Sequence, residues 1–465
     1  MRLQAGRRGA LALLLVLIAL LAGSFGTAPL TRALGTRAAL AAPAAPAGPA
    51  VVDQTASDKL DVVREAFDAL YGGFDQPLRS DVVLGDAWDG INMALTSAGL
   101  NPLGSPALTG VVDSDWQAFA DAYRGAVGTA VSSGKAKPSD LAYGAINQMA
   151  NARNSCHTAF LPPDNNASAD GVERHQLTTD VGFIAGRINN LVYRVYPDGA
   201  AAKAGLLPGD TLLSSNGQGD PGIRRRIFRA NAGQAVDITV QRPGVEQPIA
   251  LTIVPEETVL PFVRTRVLPG GIGVIQWDDF TQGAGMIDAI RQAITGFQQQ
   301  GVVGWVLDLR TSPGGDAHTM AAIASLFMPQ GLIATSIDRG GARVPVMADA
   351  NATLPEQLPM VVLIENYSAS AADILPGALQ DNRRAYLIGE RSAGCIGSAI
   401  LHTLSDGSGL QVEVEHILIG NDQLDLNGVG ITPDETVVWS PEELAAGQDP
   451  QMDRAAQVLL AQAGQ

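Results

Sequence analysis

Between residues 51 and about 165, apolar side chains recur at three- and four-residue spacing. Leu60, Val63, Phe67, Leu70 and Tyr71 form one stripe, with Thr55 and Ser57 as candidate caps. Trp116, Phe119, Tyr123 and Val127 form a second stripe; after Ser139, the residues Leu141, Ala145, Ile146 and Met149 form a third. This period matches the turn of an α-helix. It predicts a helical arm over 53–168 whose aromatic stripes face a core. From about 172 to 256 the pattern shortens. Residues 191–196, 211–215, 236–241 and 249–254 read as strands separated by turn dipeptides. Beyond 258 strands and helices alternate: strands at 272–277, 302–309 and 361–364, helices at 286–297, 318–327 and 371–379. Alternation of this kind predicts crossover units on a largely parallel sheet, an α/β core. The last residues, 441–465, read as a polar-flanked helix.

The first 50 residues follow no such period. Arg2, Arg7 and Arg8 precede an apolar run over 10–22, and Gly26 and Ala28 follow at cleavage-site spacing. This is the layout of an export signal over 1–28. An uncleaved anchor is the alternative, although the run falls short of the about 20 residues a span needs. The arginine pair also fits a twin-arginine signal. Residues 29–52 are Ala/Pro-rich and predict an extended linker. Either reading puts the folded part outside the cytoplasm, secreted or held at the membrane only through an N-terminal anchor.

Charge narrows the partners. Against 31 Lys and Arg stand 47 Asp and Glu, a net charge of −16, which repels phosphate backbones and argues against nucleic acid. The chain has 2 cysteines, no Cys-x-x-Cys pair and 5 scattered histidines, so no structural zinc site is predicted.

The segment Ala200-Ala201-Ala202-Lys203-Ala204-Gly205-Leu206-Leu207-Pro208-Gly209-Asp210-Thr211-Leu212-Leu213 resembles the signature of PDZ domains. Gly205 ends a short helix, Pro208-Gly209 turns the chain, and Asn216-Gly217 supplies a tight hairpin. The resemblance implies a PDZ domain over 170–257 that binds an extended peptide by strand addition and holds its terminal carboxylate on backbone amides. The carboxylate loop would comprise Val181, Gly182 and Phe183, assisted by Arg187. A plain hairpin start is the alternative. Arg224-Arg225-Arg226 fits a solvated helix face, or attraction of acidic peptides.

Three further segments resemble the C-terminal processing (tail-specific) peptidases. The first is Asp308-Leu309-Arg310-Thr311-Ser312-Pro313-Gly314-Gly315, a strand running into a glycine turn. The second is Ser368-Ala369-Ser370-Ala371-Ala372-Asp373, at a strand-to-helix junction. The third is Ser405-Asp406-Gly407-Ser408 with Gly428-Val429-Gly430-Ile431-Thr432-Pro433-Asp434. The resemblance implies a crotonase/ClpP-like protease core over 258–440. Ser370 would be the nucleophile, and the Gly315 and Ala371 amides would form the oxyanion hole. It implies hydrolysis of peptide bonds in peptides or proteins with accessible C-termini, using neither metal nor nucleotide.

One position departs from that pattern. Cys395 stands where the family carries its lysine base, and a serine hydroxyl needs a base to attack at neutral pH. His157 is the substitute the resemblance suggests, because tricorn-like relatives use a histidine in the corresponding segment. Its imidazole titrates in the required range. His318 and His402 are the other candidates. Asp425 and Asn427 are the candidates for orienting the base. Cys395 could also be a nucleophile itself. Cys156 and Cys395 are the chain's two cysteines, and both map to segments the family places around the nucleophile. In an oxidising compartment they would pair, or else remain buried thiols. The rival to an active enzyme is a pseudopeptidase that only binds peptides.

Overall fold

The computed structural model describes residues 58–163, 178–186, 190–219, 227, 233–258, 263–280, 283–354 and 357–464. The export signal, the linker, Arg187 and Arg224–Arg226 lie outside the described residues. Among the described residues, no helix is long and apolar enough to cross a membrane.

The predicted stripes fold into helices Leu60–Gly73, Ser80–Ser97, Val112–Ser133 and Pro138–Asn151. Their apolar faces meet in one cluster that buries Phe67, Leu70, Trp88, Phe119, Tyr123, Ile146 and Met149. Phe160, Leu404, Leu410 and Val412 belong to the same cluster, so the arm is packed on a sheet of the core. The arm ends earlier than the sequence suggests. Strand Ala159–Leu161 leaves it and pairs antiparallel with Gly409–Ile419.

Residues 178–258 form small antiparallel pairings: Phe183–Ala185 with Val192–Val195, and Thr211–Ser215 with Val236–Gln241 and then Ile249–Ile253. Asn216 and Gly217 both have positive φ, 48° and 74°, as a tight hairpin turn requires. Val181 and Phe183 are buried in this segment's own apolar cluster.

The rest of the described chain has two larger sheets. In the first, Glu435–Thr436, Tyr386–Gly389, Met360–Ile364, Gly304–Asp308 and Ile272–Trp277 run parallel, and Val263–Leu268 closes the edge antiparallel. The central strands Ile272–Trp277, Gly304–Asp308 and Met360–Ile364 are buried on both faces, which explains their continuous apolar runs. Helices Gly283–Gln299, Ala317–Phe327 and Ala371–Asp381 contribute to the core on one side. On the other, Met452, Ala455 and Leu459 of helix Pro450–Gln462 pack against Val274, Val306, Val361 and Ile388. The second sheet is antiparallel: Ala159–Leu161, Gly409–Ile419, Leu332–Asp338 and Arg343–Met347 in order, with Gly397–Thr403 also on Gly409–Ile419. The sequence pattern does not reveal it, because its long strand pairs with segments scattered over the chain.

Candidate active site

Ser370 lies where the strand Met360–Ile364 turns into the helix Ala371–Asp381. Its φ of 56° and ψ of −120° put a residue with a side chain in a region L-amino acids rarely occupy. The surroundings hold it there. The Ser370 amide donates to the Cys395 carbonyl at 2.9 Å and to Asp373 Oδ2 at 2.8 Å. Two residues earlier, Ser368 is fully buried, and its hydroxyl bridges the Leu309 carbonyl and the Glu365 amide. Ser368 therefore joins the neighbouring segments, whereas Ser370 offers its hydroxyl to the cleft.

The glycine turn follows the adjacent parallel strand, Gly304–Asp308. A Cβ on Gly314 would lie 2.6 Å from Ser370 Cβ, so no larger residue fits between turn and serine. Phe280 donates its amide to the Gly314 carbonyl at 3.0 Å, fixing the turn from behind. Gly315 and Ala371 both line the cleft, and neither amide donates a hydrogen bond among the described residues. Upstream, Arg310 grips Asp308 with two bonds of 2.8 and 2.9 Å and Asp449 with two more of the same lengths, and it covers the Trp439 ring. Against the cost of burial, the Arg310 charge holds the Asp308 carboxyl well below the usual range.

His157 is buried, and its Nε2 lies 3.2 Å from Ser370 Oγ. Directly beside it, Cys156 and Cys395 are joined in a disulfide, with Cα atoms 5.9 Å apart. Cys156 Sγ is 3.5 Å from His157 Nδ1, and Cys395 Sγ is 3.7 Å from both ring nitrogens. Cys395 thus occupies the wall behind the imidazole. As a disulfide its sulfur is no free thiolate, which removes Cys395 from the candidate nucleophiles. The loop that carries it is tied to the serine helix by Asp373, whose carboxylate accepts from the Ser392 hydroxyl, the Gly394 amide (3.0 Å) and the Cys395 amide (3.1 Å). Burial pushes the Asp373 carboxyl up, and these donors pull it back.

The orienting network differs from the one expected. Asp425 pairs with His416 Nε2 at 3.1 Å rather than with His157, because its loop brings it to the far end of the long antiparallel strand. Asn427 braces the cysteine loop: its Oδ1 accepts from the Ile396 amide at 3.1 Å, and its Nδ2 donates to Glu413 Oε1 at 3.4 Å. Glu413, absent from the sequence reading, is the central group. It is buried, the Ser155 hydroxyl donates to its Oε2, and Ser155 Oγ in turn accepts the His157 amide at 3.0 Å. Burial raises the Glu413 carboxyl, opposed first by the Ser155 bond. His318 is wholly exposed at the cleft rim, near Asp316, and His402 does not line the cleft.

The cleft has a volume of about 870 Å³, with Met320, Ala334, Val346, Ile374 and Ile417 on its apolar side. The inserted segment reaches the turn beside it. Arg194 donates to Asp278 and Thr311, Tyr196 Oη donates to Asp278 at 2.7 Å, and Thr311 Oγ1 donates to the same carboxylate at 2.9 Å.

Residues 271–437 match Peptidase family S41. The chain is 32% identical over 271 residues to the carboxy-terminal-processing protease of Bartonella bacilliformis, covering 56% of this chain and 62% of that protein. It is also 32% identical over 272 residues to the carboxyl-terminal-processing protease of a Synechocystis species, with the same two coverages. The chain thus spans less than two thirds of the length of these relatives. The solved structure of the photosystem II D1 C-terminal processing protease superposes with a TM-score of 0.55 over 87% of this chain and 97% of that one, at 22% identity, a likeness of fold. Residues 271–437, which carry the glycine turn and the serine at the head of a helix, are thus similar to peptidase family S41.

Proposed function

We propose that this protein is an exported serine endopeptidase that hydrolyses peptide bonds in unstructured or C-terminal segments of proteins. The observation that carries the proposal is the 3.2 Å approach of His157 Nε2 to Ser370 Oγ across an open cleft. In this reading His157 takes the serine proton as Oγ attacks the scissile carbonyl. The Gly315 and Ala371 amides stabilise the oxyanion, and the imidazolium returns the proton to the leaving amine. Water then enters along the same path and releases the acyl group. The helix that begins at Ala371 adds its positive end to the oxyanion site. The core is read as crotonase-like. Metal and cofactor have no role in this scheme.

Residues 170–257 are read as the PDZ domain. Gly182, at φ 80°, lets the loop turn its amides toward a peptide carboxylate, and a Cβ there would lie only 2.8 Å from the Ala200 amide nitrogen. Export is supported by the disulfide, which persists in oxidising compartments.

The missing lysine favours a pseudopeptidase, and one experiment separates the readings. A fluorophosphonate probe should label the wild-type chain at Ser370. Labelling and cleavage of an unstructured peptide should disappear in Ser370→Ala and fall about 10²–10⁴-fold in His157→Ala. A wild-type chain that neither labels nor cleaves would leave peptide binding as its function.

A further inference from the structure

We propose that reduction of the Cys156–Cys395 disulfide unmasks a thiophilic metal site, formed by Cys156 Sγ, Cys395 Sγ and His157 Nδ1, and that one Zn²⁺ bound there silences Ser370.

The donor atoms are already in place. All three side chains bring a ligand atom within 4.8 Å of the others. The sulfur-to-Nδ1 separations are 3.5 Å for Cys156 and 3.7 Å for Cys395. A tetrahedral zinc with Zn–S of about 2.3 Å and Zn–N of about 2.0–2.1 Å requires a sulfur–nitrogen separation of about 3.6 Å. Once the covalent bond is broken, the two sulfurs need only part to about 3.8 Å, the spacing two Zn–S bonds demand at the tetrahedral angle. The ligands are held by contacts that do not depend on the disulfide. Asp373 holds the Cys395 amide, and the Ser155 hydroxyl holds the His157 amide. Cys156 is exposed and, with Cys395, lines both the cleft and a second cavity behind it, so reductant and ion have access.

The chemistry balances. A dithiol reductant gives up two electrons and two protons as its own disulfide forms, and Cys156 and Cys395 become thiols. Zn²⁺ then displaces both thiol protons to solvent, giving a neutral site with two thiolates, one imidazole nitrogen and a fourth position for water. A ring ligated through Nδ1 carries its proton on Nε2. Nε2 then donates toward Ser370 Oγ and cannot accept from it. The inhibitory part therefore rests on the proposed base role of His157, whereas the metal site does not.

The full chain is reduced, freed of reductant under argon and titrated with Co²⁺. The expected result is one ion per chain with the thiolate charge-transfer band and strong visible absorption of a tetrahedral site, displaced by Zn²⁺. The oxidised chain should give no band, and Cys395→Ser should lose it. One equivalent of Zn²⁺ should slow fluorophosphonate labelling of the reduced chain by at least about tenfold, a chelator should reverse this, and the oxidised chain should be unaffected. A reduced chain without the band, or a band that persists in Cys395→Ser, overturns the site. A band without loss of labelling overturns the silencing and counts against His157 as the base.

Discussion

The carboxylate of Asp373 accepts the backbone N–H of Cys395 at 3.1 Å, while the same oxygen accepts the N–H of Ser370 at 2.8 Å. Ser370 and the loop that carries Cys395 are thereby held by one buried group. Removing it should strand four donors. Asp373→Ala is expected to cost about 2–4 kcal/mol of stability, with kcat falling more than KM rises, since the substrate-binding wall is untouched. Denaturant unfolding together with peptide kinetics checks both.

Ser370 holds φ 56° and ψ −120°, a strain of about 1–3 kcal/mol that glycine would not feel. Glycine also loses more entropy on folding, by up to about 1 kcal/mol. Ser370→Gly should therefore be inactive yet about 1 kcal/mol more stable than Ser370→Ala. A melting-temperature comparison of the two variants decides it.

Glu413 reaches His157 through Ser155. Glu413→Gln and Ser155→Ala should each lower kcat about tenfold at little change in KM. The double variant should be no worse than the poorer single one, because residues acting as one unit are not additive. Additive losses would separate the two roles.

Burial, and then the neighbouring Glu390, push the Glu365 carboxyl up to about 8, far above its unfolded value. The folded state thus holds a proton that the unfolded chain releases above about pH 4.3. This group's contribution to stability is complete at low pH and is lost as pH rises toward 8, at up to about 1.4 kcal/mol per pH unit. Glu365→Gln should flatten that slope and raise the melting temperature above pH 8. Melting curves from pH 5 to 9 measure it.

Much of the site is legible in the chain. The glycine turn, the serine segment and the strands before them are contiguous motifs, and the backbone positions they need follow from local rules: a strand, a turn open only to glycine, a helix start. The arm's stripes and the Asn216-Gly217 hairpin are legible for the same reason. Asp373 stands in the serine motif, yet its four donors come from two segments about 20 residues apart. Glu413 was invisible because it meets Ser155 across 258 positions. What joins them is strand Gly409–Ile419, paired with Ala159–Leu161 and Gly397–Thr403, the strands that follow Cys156 and Cys395. The pairing of the two cysteines, the placement of Asp425 on His416 and the 3.2 Å reach of His157 to Ser370 all rest on that antiparallel register. Strand register is set by side-chain packing between distant segments, and a period along one chain carries no information about which distant strand it will meet.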